Sequence, residues 1–172
     1  MNSKKKALLI GNNPKNISIM ESNLNLLGYS CEHIPNNYFS TIFLKIRHLI
    51  THYESCVIYY CGDYSENVLI NNIINHKNFS KQLIIIAECY SSKKVKLKRI
   101  VKCDSQIIIL LISIANNHFT NSSDGILTKN FWKYFNGACV DISLLRKCLK
   151  FYGQDFLTVF NNNDVSGKYL SI

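Results

Sequence analysis

Two stretches of this chain are apolar almost without interruption: residues 83–87 read LIIIA and residues 106–115 read QIIILLISIA. A strand with one wet face alternates apolar and polar residues. A strand that is apolar at successive positions must be covered on both faces, which is the condition of a parallel sheet flanked by helices. Residues 55–60 (SCVIYY) read the same way, and so does the run of four at residues 7–10 (ALLI), which stops at Gly11-Asn12-Asn13.

Between these runs the spacing is helical. Ile17, Met20, Leu24 and Leu27 share a face and are closed by Gly28; Phe39, Ile42, Phe43, Ile46, Leu49 and Ile50 share another over residues 38–52. Helices are also predicted over residues 68–74, 125–135 and 142–151. Short strands are predicted over residues 30–34, 156–160 and 169–172, the last two as edges. With 172 residues, of which 47% are hydrophobic, the expectation is one α/β domain over the whole chain. Its architecture is a three-layer α/β/α sandwich with a mostly parallel sheet.

Charge narrows the partners. Lys and Arg outnumber Asp and Glu 20 to 11, which suits an anionic partner. Only three of those cations are arginine, so the bidentate reading of guanine or phosphate is thinly provided for, and nucleic acid is not the expected partner. The richness in Ile, Asn and Lys is that of an AT-rich coding sequence, as in a large DNA virus, an endosymbiont or a protist. The seven cysteines are odd in number and form no CxxC pair beside a His pair. A disulfide scaffold and a structural metal site are therefore not expected, and a reduced, cytoplasmic setting is. No cofactor is called for. The longest apolar run is half a membrane span, so no membrane is expected either.

In open parallel sheets, chemistry collects at the carboxyl ends of the strands. The residues expected there are 12–14, 61–64, 88–92 and 116–124. Two of these segments carry a resemblance. Val57-Ile58-Tyr59-Tyr60-Cys61-Gly62-Asp63-Tyr64 resembles the caspase and metacaspase segment V-x-Y-Y-S-G-H-G, and Ile86-Ala87-Glu88-Cys89-Tyr90-Ser91 resembles the segment ending D-A-C-x-S-G. Ala7-Leu8-Leu9-Ile10-Gly11 is similar to the family's first strand. Gly125-Ile126-Leu127-Thr128 is similar to its G-x-F-T helix start.

The resemblance implies a caspase-like fold and a site of known logic. Cys89 takes the place of the nucleophile, and backbone N–H groups hold the oxyanion. The histidine position is Asp63, which follows Gly62, and the glycine after it is Tyr64. A carboxylate beside Cys89 disfavours the thiolate and is a weak base at neutral pH. Ala87 stands where metacaspases keep an acid that binds a basic P1 side chain. Gly62, Tyr64, Ala87 and Glu88 would then line a relic pocket.

The expectation is a catalytically inactive homologue that binds protein, either a caspase-family protease or a second copy of itself, and so modulates caspase-type proteolysis or apoptosis. A homodimer would form through an edge strand at residues 168–172. The alternative is an active cysteine endopeptidase with Cys89 as nucleophile and an unrecognised base; His118 is one candidate. A receiver-like fold lacks its paired acids, since the loop after Ile10 reads Gly-Asn-Asn-Pro. Cys61 is read as a small apolar filler, a redox partner of Cys89 being the sharper option. His33, His48, His52 and His76 are read as solvated or half-buried. Lys93, Lys94, Lys96, Lys98 and Arg99 form a basic loop suited to an acidic partner or to cleavage.

Overall fold

The computed structural model describes residues 4–35, 39–63, 82–91, 107–115, 125–137, 139–160 and 169–172. Six strands form the main sheet: β1 (Lys5–Gly11), β2 (Ser30–Ile34), β3 (Ser55–Asp63), β4 (Gln82–Tyr90), β5 (Ile107–Ala115) and β7 (Asp155–Phe160). Their order is β2-β1-β3-β4-β5-β7. The first five run parallel, and β7 closes the β5 edge antiparallel. The unbroken apolar runs are thus the interior strands, as expected.

Helices cover both faces. α2 (Phe39–His52) lies on one, with Ile42, Ile46, Leu49 and Ile50 packed against Leu8, Ile58, Leu83 and Ile85. On the other lie α1 (Pro14–Leu26), α3 (Ile126–Lys133) and α4 (Ile142–Phe151). Their Met20, Leu24, Phe131, Leu145 and Leu149 pack against Leu9, Val57, Tyr59 and Ile84. The architecture is a three-layer α/β/α sandwich.

Local sequence sets the helix ends. Asn13 caps α1 by accepting the Asn16 N–H at 3.1 Å, and Pro14 follows where its missing N–H costs nothing. Gly28, at φ +82°, turns the chain out of α1 in a conformation that disfavours other residues. Asp141 caps α4 by accepting the Leu144 N–H at 3.0 Å.

Two expectations are corrected. The C-terminal strand is not an edge of the main sheet: β8 (Tyr169–Ser171) pairs antiparallel with β6 (Cys139–Asp141), a three-residue strand too short to show a pattern. Among the described residues, β7 is the last strand on that side of the main sheet. The 125–135 helix is also shorter than its apolar pattern, because Tyr134 and Phe135 leave it to meet Val140 and Asp141. The helix predicted over residues 68–74, the basic loop, His76 and His118 lie outside the described residues. Among the described residues no helix is long and apolar enough to cross a membrane.

The buried and exposed ends of the scale make a direct test. Phe131→Ala should lower the unfolding free energy by about 3–5 kcal/mol in urea titration, from lost burial plus a cavity. Leu26→Ser, at a position 85% exposed, should stay within about 0.5 kcal/mol of the parent.

Candidate functional site

The carboxyl ends of β3 and β4 lie side by side in fixed register: Cys61 opposite Glu88, Gly62 opposite Cys89, Asp63 opposite Tyr90. Neighbours in register point to the same face, and successive residues point to opposite faces. This parity divides the expected site. Ala87 and Cys89 belong to the α2 face, with Tyr60 and Ile114; Cys61 belongs to the face covered by α1, α3 and α4.

Cys89 is 4% exposed. Its backbone sits within the sheet, paired with Gly62 on one side and Ile114 on the other, and β4 continues to Tyr90. Burial first, and then electrostatic coupling to Cys61, Glu88 and Asp63, drives the thiol pKa far above its ordinary value. At neutral pH Cys89 is a protonated thiol in an apolar layer. Asp63 is exposed, and its carbonyl oxygen accepts the Tyr60 hydroxyl at 2.7 Å. Gly62 is buried between them, and Tyr64 lies outside the described residues. Since Cys61 and Cys89 face opposite sides, a disulfide between them would require one strand to turn over.

Glu88 does something sequence reasoning missed. It is buried at 1% exposure in the layer beneath α1 and α3. There its carboxylate accepts the backbone N–H of Leu127 at 2.8 Å and of Thr128 at 3.1 Å, and also the Thr128 hydroxyl. Helix α3 begins after Gly125, which has no side chain with which to cap it. Glu88 supplies that cap from the sheet, satisfying two orphan N–H groups and meeting the positive end of the helix dipole. A Cβ at 125 would fall inside contact distance of the Glu88 carboxylate, so any larger residue there would push that carboxylate out of its place on the helix start.

Asn16 completes the joint. Its Oδ1 accepts the Gly125 N–H at 2.9 Å, while its Nδ2 donates to Cys61 Sγ at 3.5 Å. The Tyr59 hydroxyl meets Thr128 Oγ1 at 2.6 Å. The strand end therefore holds a satisfied polar network of Asn16, Tyr59, Cys61, Glu88, Gly125 and Thr128. One signal in the sequence could have found it: an acid in LIIIAEC, within a strand covered on both faces, must be matched by buried donors.

The described histidines, His33, His48 and His52, lie on β2 and α2, away from the β3 and β4 strand ends. His33 Nε2 lies 2.9 Å from the Gly11 carbonyl oxygen, and His48 stacks on His52 along α2. Among the described residues no group of three or more His, Cys, Asp or Glu is placed to hold a metal ion. Comparisons with models of known families and with curated proteins found no match.

Burial raises the pKa of Glu88, with its hydrogen bonds opposing that shift. A carboxyl that binds its proton more tightly when folded lowers stability as pH rises, from the unfolded value near 4.5 up through the raised folded value. Glu88→Gln should remove that decline from the pH–stability curve, read as the difference between parent and variant in denaturant titrations. It should also cost about 1–3 kcal/mol near neutrality, because a single amide oxygen replaces two acceptors and its NH2 meets donors. A variant curve parallel to the parent's would show that Glu88 is not the titrating group.

Proposed function

We propose that this chain is a caspase-like pseudoprotease, a protein that keeps the layout of a caspase-family site without its chemistry and acts by binding other proteins. The observation that carries the reading is the state of Cys89. At the nucleophile position stands a thiol buried in an apolar layer, with a carboxylate in place of the family's histidine. Nucleophilic catalysis needs thiolate and access; burial opposes both, and Asp63 adds charge of the wrong sign.

The adjacency of the strand ends supports the resemblance. The nucleophile and histidine positions fall on neighbouring parallel strands one residue out of register. With Asp63 in place of the family's histidine, a strained, exposed nucleophile has no reason to persist. The partners that fit this reading are caspase-family proteases, whose activity the protein would modulate by occupying a protein-binding surface.

Covalent labelling tests it. Peptidyl fluoromethylketones with Asp, Arg or Lys at P1 should modify Cys89 at neutral pH no faster than they modify the other cysteines, as read by mass spectrometry with Cys89→Ala as control. Selective, Cys89-dependent labelling would instead mean that a thiolate and a substrate cleft both survive, and the protein would be a peptidase.

A further inference from the structure

Helix α4 carries two apolar stripes where one suffices for folding. Ile142, Leu145 and Leu149 are buried against the sheet. On the opposite side Leu144, Cys148 and Phe151 recur at i, i+4 and i+7, with Leu144 45% and Phe151 84% exposed. Tyr152 extends the stripe, 55% exposed, its ring meeting Phe151 edge to face at 5.4 Å. A helix that buries one stripe in its own core and offers a second at the same spacing has the form of a helix-docking seam.

Charge says what the seam accepts. Lys147 and Lys150 flank it, and residues 125–153 carry Lys129, Lys133, Arg146, Lys147 and Lys150 against one acid, Asp141. Asp141 is engaged as the α4 cap. Lys133 lies over the Tyr134 ring, 5.6 Å from its centroid, so the adjoining helix adds to the same cationic, aromatic surface. A second copy of this chain would bring a like-charged face to it, since the whole chain has formal net charge +9.

We infer that the outer face of α4 is a docking surface for an acidic amphipathic helix of another protein, with apolar side chains seated along Leu144, Cys148 and Phe151 and carboxylates over Lys147 and Lys150. The regular seam of Leu and Phe favours a helix over a polyanion: phosphates would use the lysines but leave Leu144 and Phe151 in water. None of these residues belongs to the Cys89 region, so the inference stands or falls independently of whether Cys89 reacts.

The test uses the full chain and a fluorescein-labelled synthetic helix of about five turns, with Leu at i, i+3, i+4 and i+7 and Glu at the flanking positions. Fluorescence anisotropy should show saturable binding that weakens as salt rises. It should weaken about tenfold or more in Leu144→Ser/Phe151→Ser, and by a similar factor in Lys147→Glu/Lys150→Glu. All four positions are exposed, and circular dichroism checks that each variant is folded. A peptide of the same composition with its leucines scattered round the helix should bind at least about tenfold more weakly. Absence of saturable binding, equal binding of the scattered peptide, or indifference to the substitutions would overturn the inference. It would equally be overturned if the substitutions abolished binding to phosphatidylserine vesicles or oligo(dT), or self-association in sedimentation, while the acidic helix failed to bind.

Discussion

The carboxyl edge of this sheet depends on one interaction, the buried Glu88 carboxylate against the first turn of α3. An ion taken out of water is held in place only when hydrogen bonds replace its hydration. Here two backbone N–H groups and a hydroxyl do so. The same contacts give a helix that starts at glycine the cap it lacks. Neither partner is satisfied without the other, which fixes the helix on the sheet more strictly than apolar packing alone would. Asn16 ties in α1 through the Gly125 N–H, and Tyr59 and Cys61 tie in β3, so four elements meet at a single polar joint.

The period-two alternation of a strand then decides the chemistry. Glu88 and Cys89 are neighbours in sequence and point to opposite layers, one into the polar joint and the other among apolar residues beneath α2. Their environments differ accordingly. The carboxylate is surrounded by donors. The thiol is surrounded by hydrocarbon, and Glu88 and Asp63 both disfavour its ionisation. A site of nucleophile and base would need Cys89 to be accessible and to face a cation or an imidazole. In the described structure it is buried among apolar residues beneath α2, while Asp63 shares the parity of Cys61 on the other side of the sheet.

The layered architecture was legible in the sequence because solidly apolar strands such as LIIIA admit few alternatives, and α2 and α4 show clean helical spacing. Cys139–Asp141 was not legible: three residues are too few for a pattern, and their pairing with Tyr169–Ser171 is set by tertiary contacts. At the site, the apolar runs led to strand ends near residues 61–64 and 88–92; β3 runs on to Asp63 and β4 to Tyr90, so Cys89 lies within its strand and not after it. The separation of Glu88 from Cys89 was implicit in alternation, but the donors that hold Glu88 come from Leu127 and Thr128, some 40 residues away, and no local pattern announces them. Gly125 is the instructive residue. In sequence it reads as a helix start, whereas in the structure it is small because a carboxylate lies against it.

The most direct test of the central claim is site-resolved amide hydrogen exchange at Leu127 and Thr128, in the parent and in Glu88→Gln. If the buried carboxylate anchors α3, both amides in the parent should exchange only through global unfolding, with the protection of the interior strands. In Glu88→Gln they should exchange faster than those strands, by local opening of the helix start. Rapid exchange of these two amides in the parent, at rates unaffected by the substitution, would contradict the account.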